Sequence, residues 1–366
     1  MNTRCFTLRS LLALLVVSTL LFGVTSCFKQ IQDHQFPNPT TFSAVQGPPV
    51  AARLSSPIGM TEDNKGYLWV TEAGSGTASP ASGRVSVITP GGTFTAITGF
   101  LSAGSPEGSP EGLNHLAYKD GKLYILHGVD DALYIADISS FVPGVTAPIL
   151  FSSLTKIDIG TFVRQQHPNA PDLKDSNPYN LTFGPEGDLY ITDAGGNAIV
   201  RRNKDTGVLS IYAIFPDVPN PIFDPLDPSK GPLTIDAVPT GIVFNGTDFL
   251  VTTLVGYPFP ANLSTIYKVS ATGTAPIMPV AYKTKFSGLT DIALTSGGKA
   301  LVTEFGFSTP PRVANGDVAG DSPGGTLFSG VFPYITPVDV LVSNTADTYY
   351  VLYYGSGMIV KFTGGN

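Results

Sequence analysis

The chain has 366 residues, 42% of them hydrophobic and only 13% charged, with 40 Gly, 31 Pro and a formal net charge of −7. Gly and Pro at that level punctuate short strands and disfavour long helices, so the composition points to a turn-rich β protein. An acidic balance without a basic run excludes nucleic acid as a partner.

The first 26 residues read as a targeting segment. Arg4 and Arg9 give a basic start, Leu11–Val24 form an apolar core, and the segment ends in Val24-Thr25-Ser26-Cys27. That ending resembles the lipobox of bacterial lipoproteins, in which cleavage leaves the cysteine as a lipidated N-terminus. Cys27 is the expected membrane anchor, and the expected location is the bacterial cell envelope, outside the cytoplasm. Cleavage would remove Cys5, leaving one cysteine and no intramolecular disulfide. It would also leave 19 basic against 28 acidic residues, a balance of −9. Residues 27–40 are polar, with two prolines, and read as a tether to a domain spanning 41–366.

Six segments then repeat one plan: a short apolar run, a tight turn and a second run rich in Leu, Tyr, Val and Thr. They begin near Gly59, His115, Asn180, Gly241, Asp291 and Asp339, at spacings of 48 to 65 residues. The clearest copy, Asn180–Asp193, reads NLTFGPEGDLYITD. β-Branched and aromatic residues around a Gly-, Asn- or Asp-bearing turn specify an antiparallel hairpin. Third strands are expected at Arg84–Ile88, Ala132–Asp137, Ala198–Arg202, Thr265–Val269, Gly325–Ser329 and Met358–Phe362. A fourth is clearest at Thr93–Ile97. Four antiparallel strands at this period describe a propeller blade, so the expected fold is an all-β, six-bladed β-propeller. The last blade lacks its own fourth strand, and Thr41–Val45, a near copy of Thr93–Ile97, is expected to supply it and close the ring.

Hairpin geometry places the start of each first strand and the end of each second strand at one end, the top. The long connections (Gly74–Gly83, Thr98–Gly112, Ser140–Asn177, Phe215–Pro239, Leu254–Leu263 and Phe305–Gly324) are all expected there. Loops above a rigid frame are where binding surfaces are built, so the top is the expected functional face. Its ligand-binding candidates are Asn114, Tyr179, Asn180, Thr240, Tyr257 and Phe259, with Phe223 nearby. The inner strands' first residues ring the central axis, and the second strands end in Glu72, His127, Asp193 and Glu304. Asn180, Asp193, Asp291 and Glu304 form a candidate oxygen-ligand set for Ca2+ or another divalent cation, with His115 as a candidate general base. Ordinary capping of strand ends by Asp, Asn and Thr is the competing explanation for the same residues.

Gly320-Asp321-Ser322-Pro323-Gly324 matches a nucleophile elbow by letter only. Pro323 has no N–H to donate to an oxyanion hole, and no helix follows. The chain carries no phosphate-binding loop, dinucleotide fingerprint or zinc-protease motif.

Segments such as Asp175-Ser176-Asn177-Pro178-Tyr179, Gly184-Pro185-Glu186-Gly187-Asp188-Leu189-Tyr190 and Gly256-Tyr257-Pro258-Phe259-Pro260 resemble the ScyD/ScyE family. So do Ser56-Pro57-Ile58-Gly59, Thr192–Ala198 and Val238-Pro239-Thr240-Gly241. The resemblance spans roughly residues 50–362, and the family is similar to NHL-type six-bladed propellers. It implies a secreted propeller without an assigned reaction. Related propellers include gluconolactonase-like enzymes and streptogramin lyases. The lyases' Pro-His-Gly strand start is replaced here by Thr240-Gly241 and Ile58-Gly59, and Asn180 and Asp291 echo only part of the gluconolactonase metal pattern. The leading expectation is therefore a monomeric, lipid-anchored propeller that binds a ligand or an envelope protein through its top face. A metal-dependent hydrolase or lyase is the alternative.

Overall fold

The computed structural model describes residues 44–78, 81–105, 108–166, 175–329 and 335–364. Cys27, the targeting segment and the tether lie outside the described residues, as does most of Thr41–Val45.

The repeat folds as the spacing requires, into six sheets of four antiparallel strands, one of them extended by a fifth strand, arranged as a six-bladed β-propeller. Inner strands are Pro57–Glu62, Leu113–Lys119, Pro178–Phe183, Pro239–Phe244, Leu289–Leu294 and Pro337–Val342. Each pairs with the next strand in sequence and the chain then steps outward. Among the described residues, the buried apolar side chains fall into six clusters, one at each blade-to-blade interface. Leu126 and Leu133 of blade two, for example, pack against Leu181, Ile191 and Val200 of blade three. A blade is therefore buried on both faces, which explains why its second strands read as continuous apolar runs rather than alternating ones.

The ring is closed by an N-terminal strand, as expected, but that strand is Val45–Ala51. It pairs antiparallel with Met358–Thr363, and register shifts flank Pro49. Pro48 and Pro49 donate no backbone hydrogen bond, which suits an outermost strand. The match between Thr41–Val45 and Thr93–Ile97 thus located the closing segment a few residues early.

Two further expectations are corrected. In blade five the third strand is Arg312–Asn315, and Thr326–Ser329 is the outer strand, not the third. A strand of four residues, Arg-Val-Ala-Asn, preceded by two prolines, gave no alternation to detect. Moreover, Ser140–Asn177 and Phe305–Gly324 are not single top loops. The first holds the outer strand Thr155–Asp158 and a short helix, Gly160–Gln166. Each also holds a stretch that leaves the bottom of its third strand and runs along the outer edge of the preceding blade. Ile149–Leu150 adds a parallel strand beside Ile97 and Thr98, and the Gly320 N–H donates to Thr284 O at 2.9 Å. In blade four the Ile277 N–H likewise reaches Tyr212 O at 2.7 Å. These straps cover outer edges that would otherwise be open to pairing.

Candidate functional site

At the top of every inner strand the pairing register slips, between the strand's first residue and its third or fourth. The slip frees a backbone N–H that a threonine of the second strand recovers in several blades. Thr71 Oγ1 accepts from Gly59 N–H at 2.9 Å, and Thr192 Oγ1 from Asn180 N–H at 3.1 Å. The bulge turns the third residue of each inner strand toward the axis. Those six residues are Gly59, His115, Asn180, Gly241, Asp291 and Asp339.

Two of the six are glycines on opposite sides of the ring, in blades one and four. A Cβ on Gly59 would lie 2.5 Å from His115 Cα, and one on Gly241 would lie 2.6 Å from Asp291 Cα. No side chain fits, so neighbouring strands close in and the other four side chains meet across the glycines. Asn180 Nδ2 of blade three donates to Asp291 Oδ1 of blade five at 2.8 Å. His115 Nε2 of blade two lies 3.9 Å from Asp339 Oδ2 of blade six. Donor atoms of His115, Asp291 and Asp339 all fall within 4.8 Å of one another. The three residues are only 3 to 5% exposed.

Hydrogen bonds fix the roles of these groups. His115 Nδ1 is 3.1 Å from Tyr179 O. A carbonyl only accepts, so Nδ1 carries the proton and Nε2 presents a bare lone pair. That Nε2 is buried and has no hydrogen-bond partner. Burial holds the imidazole below its usual titration range, with the Asp291 charge only partly opposing this. Asp291 Oδ2 accepts from Val340 N–H at 3.1 Å, and Asp339 Oδ2 accepts from Met60 N–H. Burial first, and then the adjacent Asp291 carboxylate, raise the Asp339 carboxyl well above the ordinary carboxylate range. Asn180 Oδ1 is occupied by Leu181 N–H at 2.7 Å. Asn180 therefore spends both ends of its amide inside the protein and orients Asp291.

Tyr179 covers this hub. Its ring packs on the His115 ring at 4.7 Å between centroids, and burial together with the Asp291 and Asp339 charges raises its hydroxyl's pKa.

Other candidates serve the frame. Asn114 Nδ2 bridges to Asn177 Oδ1 at 2.7 Å and Pro178 O at 2.9 Å, joining blades two and three. Thr240 Oγ1 donates to Leu289 O at 2.9 Å, joining blades four and five. Asp193 accepts from Ser176 Oγ at 2.6 Å and from the Asn177 and Gly196 N–H groups, and burial nevertheless raises it to about 6. Glu304 holds Ser287 N–H and Arg312, just as Glu72 holds Ser55 N–H and Arg84. In blades one, three and five this acid clamps the top loop that enters its own blade. Among the described residues, the structure groups Asp291 with His115 and Asp339, and seats Asp193 and Glu304 elsewhere. His127 is likewise engaged, with Nε2 on Leu101 O at 3.1 Å and Nδ1 accepting from Asp130 N–H at 3.0 Å. Tyr257 and Phe259 lie in an exposed aromatic group on the top loops.

The donor set fits a divalent cation. An unprotonated imidazole nitrogen facing two carboxylates lacks only positive charge between them, and three protein donors leave coordination positions open. Bonds of about 2.1 Å would require the donors to draw slightly closer than they stand.

No protein-family model and no curated protein matches the chain, so the ScyD/ScyE likeness rests on the sequence segments themselves. Among solved structures it is similar to a PQQ-bound aldose sugar dehydrogenase of Streptomyces coelicolor, at 14% identity and a TM-score of 0.54, covering 88% of this chain and 98% of that one. A gluconolactonase from Xanthomonas campestris matches at 11% identity and 0.53, covering 90% and 93%. A putative gluconolactonase matches at 14% and 0.52, covering 91% and 98%. These likenesses establish the six-bladed propeller fold.

Proposed function

We propose that the protein is an extracytoplasmic binding propeller, held to the membrane through a lipid on Cys27, whose top face takes its ligand above a divalent cation at the hub. His115, Asp291 and Asp339 are the ligands, and Asn180 is a positioning residue. One observation carries this reading: the His115 tautomer is fixed by Tyr179 O, so a bare, buried Nε2 faces two carboxylates with no hydrogen bond of its own. Without a cation, Asp339 stays buried beside Asp291 by holding a proton, which costs stability at neutral pH. With an imidazole among its donors the site leans away from Ca2+ and toward Zn2+ or Mn2+.

The same open coordination supports a second reading, a metal-dependent hydrolase or lyase. In that case the ion would polarise a carbonyl or activate a water. His115 would then be a ligand and not the general base.

Thermal unfolding of the EDTA-treated protein with added Zn2+, Mn2+ or Ca2+ tests the reading. A site filled at 100 times its Kd adds about 2.7 kcal/mol, which at this chain length raises the midpoint by a few degrees. The shift should vanish in His115→Ala and Asp339→Asn and persist in Asp193→Asn. No shift with any ion would overturn the hub as a cation site.

A further inference from the structure

Five aromatic rings run in contact across the top loops of blades four, five and six. Tyr257 meets Phe259 edge-on at 6.2 Å between centroids, and Phe259 stacks on Phe307 at 4.5 Å and 12°. Phe307 meets Phe305 at 4.9 Å, and Phe305 meets Tyr354 at 5.7 Å. Tyr257 at one end and Phe307 in the middle are open to water, at 56% and 47% exposure. Phe259 holds the left-handed region with a φ of 56°, a strained conformation for a bulky side chain. Pro258, Pro260, Pro310 and Pro311 stiffen the loops, and the Tyr257 hydroxyl is tied to Ser229 O at 3.0 Å. The exposed rings are therefore held in place before any ligand arrives.

In the loop that follows Phe307, Thr309 and Pro310 join Asn262, Ser287 and Thr326 in lining a cavity of about 260 Å³. Glu304 and Arg312 complete its wall and neutralise each other as an ion pair. The site thus pairs exposed aromatic faces with hydroxyl and amide groups and carries no net charge.

We propose that this track and cavity form a carbohydrate-binding shelf for a neutral polysaccharide. The proposal rests on the reading of the top face as a binding surface, and it places the shelf on the loops, apart from the hub cation. A pyranose has an apolar C–H face and a polar rim. Its C–H groups are slightly positive and complement the negative face of an aromatic ring. Stacked on Phe307 or Tyr257, one sugar presents its hydroxyls to the cavity, and the neighbouring rings of the track receive further sugars of the chain. An anionic or cationic ligand would find the wall charges already paired. A wholly apolar ligand would strip water from the cavity's polar groups without replacing their hydrogen bonds.

Affinity electrophoresis through gels containing soluble neutral polysaccharides (a β-glucan, a xylan, a galactomannan and dextran) tests the shelf. Runs compare the unsubstituted chain with Phe307→Ala, Tyr257→Ala and Phe307→Tyr, each with and without EDTA. At least one polysaccharide should retard the unsubstituted chain, and Phe307→Ala and Tyr257→Ala should each weaken that affinity 10-fold or more. Phe307→Tyr, which keeps the ring plane, should retain it. EDTA should leave retardation in place, which separates the shelf from the hub cation. Retardation by none of the four, or equal retardation of the alanine variants, overturns the shelf. Retardation lost in EDTA but untouched by the alanine variants assigns binding to the hub and overturns it too. If the alanine variants lose affinity only for phosphatidylcholine vesicles, the track is a membrane contact and the proposal falls.

Discussion

His115 and Asp339 carry the clearest residue-level consequence, because each is worse placed without a cation than with one. Asp339→Asn removes one of two adjacent buried carboxyls while leaving an oxygen to accept from Met60 N–H. The metal-free variant should therefore be more stable than the metal-free parent, yet show no response to added ion; denaturant midpoints in EDTA and in Zn2+ give both readings. Gly241→Ala should act in the opposite way. Its Cβ would meet Asp291 backbone at 2.6 to 2.8 Å, so strands must separate, at a cost of about 1–3 kcal/mol, and cation affinity should fall with stability. Glu72→Ala provides the contrast. It strands Ser55 N–H and Arg84 and should cost about 3 kcal/mol, while the ion-induced shift survives. The sequence made the ring legible, because a fixed repeat places the same inner-strand position at the axis in every blade. It placed His115, Asn180, Asp291 and Asp339 there, but it did not separate ring residues from the acids that end second strands. Asp193 and Glu304 are the same chemical type at the same height. Only the strand bulge, which aims one set inward and leaves the other to cap loops, tells them apart. Asn180 poses a similar ambiguity, since an amide that coordinates and an amide that orients a carboxylate look alike until both its ends are traced.

Among the elements, the outer-edge straps of blades two, four and five are what the repeat pattern hid. They have no period of their own, so runs such as Ser140–Asn177 and Phe305–Gly324 read as undivided loops. In blade five the strap begins at Asp317, whose carboxyl accepts from Ala300 N–H and is raised by burial to about 7. Its unfolded value is near 4. The native state therefore binds the proton more tightly, and this group's contribution to stability is present below about pH 4 and is lost as pH rises toward 7. Asp317→Asn should flatten the fall in thermal midpoint across that window. An unchanged slope would assign the pH dependence to other groups.

For the whole molecule, closure of the ring governs stability, because every interface cluster is shared by two blades. The contacts between blades one and six include Met60 N–H to Asp339 and Ser343 Oγ to Glu62 Oε1 at 3.0 Å, and Val45–Ala51 completes the sixth sheet. A chain beginning after Ala51 exposes the edge of Met358–Thr363 and should lose several degrees of thermal midpoint and self-associate, as sedimentation would show. The propeller itself was legible because its repeat is long-range and redundant; its centre was half legible because function there depends on which atoms remain unpaired. The most direct check of that centre is electron paramagnetic resonance of Mn2+ titrated into the EDTA-treated protein. The hub account predicts one bound ion per chain with a nitrogen coupling from imidazole that disappears in His115→Ala. Mn2+ that stays free in solution, or binds without a nitrogen neighbour, would contradict it.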